Sequence, residues 1–384
     1  MRVLQYRRFA VIFTGVISAL FLLMLAMSAH AEVTADKSAA VIFAYQRIGE
    51  DSVPQGNISL EKFVAHLTEL EKGGYQVLPL PEIIDAVKKA KSLPGKAVAI
   101  TFDGASASTL LRALPLLEAR KMPYTVFFAA DAADQGGAAG MDWRGLKNLR
   151  KNKLATLGIL PASYAQLTDL SVDESAALIN RAVARYREML GSEPAFFAYP
   201  YGEYSLALKK RLIDYHFAAA FGLQSGAIHT GSDFLALPRF TMTGNFGDAD
   251  RFLLTANALP LPISDIVPED TLLSHNPPLV GFTVSPEITN LSRLSCFASS
   301  GAGKLSLAKL SGNRVEIRPD QPFTERRTRI NCTLPNAVNI PGEPKSWRWV
   351  GLLFIAPDVA DVAPSGDNNE NEESEDNIET TETQ

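Results

Sequence analysis

Strand-like and helix-like segments alternate from Ala40 to Gly222, and this alternation restricts the fold of the 384-residue chain more than any other feature. Ala40 to Tyr45 is a β-branched and aromatic run, and Ser59 then caps a helix whose Phe63, Leu67 and Leu70 fall on one face. A short strand from Gln76 to Leu78, a helix opened by Pro81 and a strand from Ala97 to Phe102 follow. The rhythm continues with a helix from Thr109 to Arg120, a strand from Tyr124 to Ala129 and a helix from Trp143 to about Lys151. Ser171 and Glu174 form a capping box for a helix ending near Gly191. Phe196 to Tyr199, a helix from Ser205 to Tyr215, and Ala218 to Gly222 complete the series. Units repeated over this length predict an α/β fold of the parallel (β/α) barrel kind, distorted or incomplete, rather than an open doubly wound sheet.

Beyond about Pro260 the helical period disappears and proline-punctuated strands take over: Leu279 to Val284, Leu291 to Ala298, Arg314 to Ile317, Thr328 to Leu334 and Trp347 to Ile355. They predict a smaller all-β sandwich-like domain over 258–362 after a barrel over 32–257. Trp347 and Trp349 lie two apart and share a face of their strand, which suits core packing or a sugar-stacking platform.

The ends read differently. Arg2, Arg7 and Arg8 precede an apolar run from Phe9 to Met27 and then Ala29-His30-Ala31, the pattern of a secretory signal over 1–31 cut after Ala31. The alternative is an uncleaved anchor over 9–27. Either way the body is expected to be exported, periplasmic or extracellular. In an oxidising compartment the only two cysteines, Cys296 and Cys332, are expected to pair. The segment 363–384 is expected to be a disordered acidic tail, with eight acids and no Lys or Arg from Asp367 onward. Setting aside those acids and the three signal arginines leaves the body near neutral, which gives no electrostatic case for a nucleic-acid partner.

The chemistry concentrates where a buried strand ends in Asp103. Carboxylates at strand ends sit on the active face of an α/β barrel and can act as bases. An isolated Asp before Gly104 equally suits a turn or a helix cap.

Together with their order, Tyr45-Gln46-Arg47, the block from Ile58 to Pro81, Ile100-Thr101-Phe102-Asp103, Tyr199-Pro200-Tyr201-Gly202-Glu203-Tyr204 and Leu237-Pro238-Arg239 carry a resemblance. Over roughly 38–257 the chain resembles the polysaccharide deacetylases of the NodB-homology, carbohydrate esterase 4-like type. The region after Ala258 also resembles a C-terminal domain of some bacterial members.

That resemblance implies hydrolysis of N-acetyl groups on a polysaccharide, with a divalent metal such as zinc held by one Asp and two His. It further implies catalytic roles for Asp103, Tyr201 and Arg239, the base, an oxyanion-binding amide and a partner of the base. Tyr45, Tyr199, Glu203 and Tyr204 are the expected substrate-binding positions. The metal ligands depart from the pattern: their places hold Gly104, Leu160 and Tyr164, and the Tyr-His pair near the first strand is Tyr45-Gln46. Among the histidines of the body, His66, His216, His229 and His275, no two lie within ten residues of each other, so no local two-His motif exists.

Three functions are therefore open: a metal-free, catalytically impaired binder of N-acetylated polysaccharide, a working deacetylase with Asp103 as base and Glu203 as acid, or an envelope scaffold or partner-binding protein whose β domain does the recognising. No cofactor is expected in the first. If the backbone of the site is intact, Gly104→Asp with Leu160→His and Tyr164→His should recover a metal site.

Overall fold

The computed structural model describes residues 34–137, 140–300, 303, 305–337 and 344–359. The expected signal (1–31), the anchor alternative (9–27) and the acidic tail (363–384) lie outside the described residues. Among the described residues no helix is long and apolar enough to cross a membrane.

The first part is a distorted (β/α) barrel. Its strands are β1 (Val41–Tyr45), β2 (Ala97–Asp103), β3 (Tyr124–Phe128), β4 (Ala155–Ile159), β5 (Phe196–Ala198), β6 (Ala219–Phe221) and β7 (Phe240–Thr241). They run in the order β7-β1-β2-β3-β4-β5-β6, all pairs parallel, with the short strand Gln76–Val77 added to β2. Closure is loose. Leu237 bridges β6 at Phe221 while β7, three residues on, pairs with β1, so one short segment joins the two edges.

Every residue of β2 is buried, as a parallel strand covered on both faces requires. Its period of two sends Val98, Ile100 and Phe102 toward the helical layer. Ala97 and Ala99 join the second apolar cluster, with Phe127, Leu160, Phe221 and Leu237. Thr101 and Asp103 share that second face. Helices α1 (Leu60–Lys72), α2 (Leu80–Lys88), α3 (Leu114–Ala119), α4 (Ala130–Gln135), α5 (Trp143–Leu149), α6 (Val172–Leu190), α7 (Leu206–Leu212) and α8 (Ala249–Ala256) cover the barrel. The capping box of Ser171 and Glu174 is formed at the start of α6, and Gly191 closes that helix in the left-handed region. Strand β4 and the helices α4 and α8 were not anticipated.

Two four-stranded sheets follow. One has the order β8 (Ala258–Pro260), β15 (Trp347–Ile355), β14 (Arg327–Pro335), β11 (Ser295–Ala298); the other has β9 (Ile263–Val267), β10 (Val280–Val284), β13 (Arg314–Ile317), β12 (Leu307–Lys309). A separate apolar cluster, with Phe282, Val315, Ile330 and Phe354, fills the space between them. Cys296 on β11 stands directly opposite Cys332 on β14, and the two form a disulfide. The span expected to be one strand, Leu291 to Ala298, opens as a 3-10 turn over Leu291–Arg293 before β11 begins.

Strand β14 alternates without exception: Thr328, Ile330, Cys332 and Leu334 are buried, and the residues between them are partly exposed. Those alternate residues meet the barrel, Arg329 Nε donating to Leu223 O and Arg327 reaching Glu203. Trp349 packs edge-on against Phe240 of β7, with its Nε1–H donated to Asn331. Arg348 makes a two-bond pair with Asp36, both distances 2.8 Å.

Candidate functional site

Asp103 ends β2 on the inward face, and Arg239, two residues after Leu237, enters from the segment that closes the barrel. The guanidinium meets the carboxylate through both nitrogens, 2.7 Å each. Arg239 is 0% exposed and Asp103 4%. The same guanidinium donates to Thr101 Oγ1 and Gly222 O, and it lies over the rings of Phe127 and Phe221, which also pack on each other. Five donors fixed in a plane suit this arrangement, which a lysine would not reproduce. The sequence brought Asp103 and Arg239 forward; Thr101 and the two rings were missed, although the position of Thr101 two residues before Asp103 on the same strand face was a signal for it.

A cavity of about 300 Å³ opens beside Asp103, lined among others by Gln46, Gly104, Ser106, Met141, Leu160 and Tyr164. The three positions that the family pattern gives to metal ligands do gather at this cavity. Their chemistry does not fit a divalent cation. Gly104 has no side chain and Leu160 is buried among apolar neighbours. Burial and the charge of Asp103 hold the Tyr164 hydroxyl well above the usual phenol range, so it is a neutral donor. Among the described residues no group of three His, Cys, Asp or Glu is placed to hold a metal ion.

Tyr164 does something else. Its hydroxyl accepts a hydrogen bond from the backbone N–H of Tyr201 at 3.4 Å, and the two rings meet edge to face with centroids 4.9 Å apart. Tyr201 sits at φ +57°, in the left-handed region that costs a non-glycine residue free energy. Arg327 lies over the Tyr201 ring, 5.1 Å from its centroid. The amide expected to stabilise an oxyanion is thus already matched to a protein oxygen.

The four expected substrate-binding side chains do not line this cavity. Tyr45 is buried in the helical layer with its hydroxyl on His66 Nδ1 at 3.0 Å. His66 Nε2 lies 3.0 Å from Gly247 O, so Nε2 carries the proton and Nδ1 accepts from Tyr45. Tyr199 is buried with its hydroxyl donated to Leu235 O. Glu203 is 0% exposed and accepts from Arg327, Arg326 and Thr168 at the junction with the C-terminal sheets. Tyr204 stands in a separate cleft at that junction.

The barrel thus carries a carboxylate at a strand end with an arginine clamped to it, and Tyr164 of the same cavity joins the Tyr-Pro-Tyr-Gly loop. Comparisons with known proteins show what this arrangement is similar to. The model of the polysaccharide deacetylase family matches residues 90–220. The fold resembles the Streptococcus pyogenes deacetylase PplD in complex with acetate, at 18% identity and TM-score 0.52, covering 57% of this chain and 98% of that one. It also resembles IcaB from Ammonifex degensii, at 24% identity and TM-score 0.51, covering 57% of this chain and 97% of that one. No curated protein matches at the sequence level. Within the barrel, residues 90–220 thus match the polysaccharide deacetylase model, and the fold is one that solved deacetylases share.

Proposed function

We propose that this protein is an exported polysaccharide-binding member of its family, acting on envelope or extracellular glycan with N-acetylated sugars, and that its barrel is catalytically impaired because it does not hold the family's divalent metal. The observation that carries this reading is Tyr164: at a position where the family has a metal-binding histidine, a neutral phenol takes up the Tyr201 amide. Deacetylation needs a nucleophilic water and an electrophile for the developing oxyanion. Asp103 is a base held in place without either, since a water polarised by no cation is a poor nucleophile at neutral pH. What remains useful is a pocket with polar groups from Gln46, Ser106, Asp103 and Tyr164, beside the methyl-lined wall of Ala129, Ala132 and Ala133. An acetamido group has the same division into a polar amide and an apolar methyl.

A working hydrolase is the second reading. Asp103 kept in a cavity at the strand end favours it, with Arg239 as the positioning residue of the base. Glu203, the acid nominated for that reading, faces the junction and has three protein donors on it.

The test combines metal content of the purified full chain with acetate release and binding of N-acetylated oligosaccharides. The proposal expects less than stoichiometric zinc, no acetate release, and a measurable affinity that Asp103→Asn weakens. Stoichiometric zinc with acetate release that Asp103→Asn abolishes would establish the hydrolase instead.

A further inference from the structure

We infer that Tyr164 makes the carbonyl contact of the Asp103 cavity, its hydroxyl donating to the acyl oxygen of the ligand while Asp103 accepts from the adjoining N–H, so that the cavity selects N-acetylated over O-acetylated sugar units. This rests on the reading of the cavity as a metal-free saccharide site.

The polar groups around the cavity differ in what they have left to give. Ser106 Oγ is occupied by the protein, with Ser108 Oγ and Thr109 Oγ1 each at 3.0 Å and the Thr109 N–H donated to it. Gln46 carries its side-chain amide over Gly56, where only a glycine leaves room for it. Arg47 is paired with Glu50. Tyr164 is different: its oxygen accepts the Tyr201 N–H, and its own proton has no acceptor among the described residues. Burial and the charge of Asp103 keep that proton in place. A hydroxyl that accepts one hydrogen bond is also the stronger donor of the next. The Tyr201 amide is thus relayed into the cavity through the phenol, from N–H to oxygen and from O–H to ligand.

Asp103 supplies the complementary half. Each of its oxygens accepts one N–H of Arg239, and no other donor among the described residues reaches it. A carboxylate has about four lone-pair sites and only accepts, so two sites remain for a ligand donor. A donor and an acceptor in one small cavity fit a secondary amide, whose C=O and N–H sit on adjoining atoms. An ester has the C=O alone and would set an alkoxy oxygen against the carboxylate, which is a penalty rather than a missing contact. Leu160 and Met141 add apolar surface for the acyl methyl.

The test is isothermal titration of the full chain with three tetrasaccharides that differ in one group: N-acetylglucosamine units, the same units with a thioacetamido group, and glucose units acetylated on the 2-oxygen. Sulfur is a poor hydrogen-bond acceptor, so the thioacetamido ligand should bind the native chain roughly five- to tenfold more weakly than the acetamido one. The O-acetylated ligand should fall at least as far. Tyr164→Phe keeps the ring that packs on Tyr201 and removes only the hydroxyl. It should bind the acetamido ligand roughly five- to tenfold more weakly and no longer tell it from the thioacetamido ligand. Discrimination that survives in Tyr164→Phe would make the residue a merely structural one and overturn the inference, as would equal binding of the amide and thioamide, or of the amide and ester, by the native chain. Any of these with the acetamido ligand still bound leaves the metal-free saccharide reading standing; no binding of that ligand at millimolar concentration overturns both.

Discussion

The Asp103–Arg239 pair shows how one contact serves both fold and chemistry. Two charges have been taken out of water and matched by two-bond geometry, with Thr101 and Gly222 O using further donors of the guanidinium. Removing one partner leaves the other charge buried and uncompensated, which costs about 3–5 kcal/mol, whereas replacing both by apolar groups costs far less. Arg239→Met should therefore lose about that much in urea denaturation, and Arg239→Met with Asp103→Leu should regain most of it. His66 offers a second measurement at this scale. Burial lowers its pKa from the ordinary 6.5 to about 4, and the side chain is closed in by Tyr45, Gly247 O and a stacked Phe252. The unfolded chain takes up this proton more readily, so stability is full above pH 6.5 and falls as the pH drops toward 4. The gap is worth roughly 3 kcal/mol. Urea midpoints at pH 7.5 and 4.5 should separate in the native sequence, and by clearly less in His66→Leu, whatever its constant loss of stability.

Elements were legible where the cause is local. The Ser59 and Ser171 caps, the helical faces of α1 and the alternation of β14 are each written within one segment, and the strands and helices built on them stand within a few residues of their expected positions. Strand β4 was hidden because its cause lies elsewhere in the chain: Gly158 leaves room for the ring of Phe127, which a Cβ there would approach to 2.5 Å. Gly104 is the instructive case at the site. Its absent side chain is plain in the sequence, but its φ of +96° is not. A Cβ there would meet nothing within 4 Å, so the obstacle to an aspartate is backbone conformation rather than space. Gly104→Asp should fold and lose roughly 1–3 kcal/mol by thermal or urea unfolding. Combined with Leu160→His and Tyr164→His, it should bind zinc more weakly than an unstrained site, a result that titration with a zinc-competing chelator reads directly. The disulfide acts at the same scale, because it ties β11 to β14 across 36 residues of sequence. In the chain-entropy model closing a loop of that length contributes about 4 kcal/mol, so reducing it, or replacing both cysteines by alanine, should lower the urea midpoint accordingly.

At the scale of the molecule the unexpected feature is how firmly the sheets grip the barrel. Glu203 came forward from the sequence as a candidate for chemistry, since it follows the Tyr-Pro-Tyr-Gly turn; its partners Arg326 and Arg327 lie more than a hundred residues later, and no local pattern joins them. The result is a buried cluster in which Arg326 also bonds Thr168 and Asp169, while Arg327 lies over Tyr201. The loop that carries the expected oxyanion amide is thereby braced from the C-terminal sheets, and its strained Tyr201 is held by contacts from both parts of the chain. Coupling of this kind makes the two parts unfold together. Glu203→Leu would leave Arg326 buried against no carboxylate except the half-exposed Asp169. The expected outcome is a loss of about 3–5 kcal/mol and separation of the single unfolding transition into two, seen by calorimetry. Limited proteolysis should then cut near 258–262, where the barrel passes into the sheets, while the intact chain resists. A single transition with unchanged midpoint in Glu203→Leu would mean that the Arg348–Asp36 pair and the packing of Trp349 on Phe240 hold the junction without the cluster.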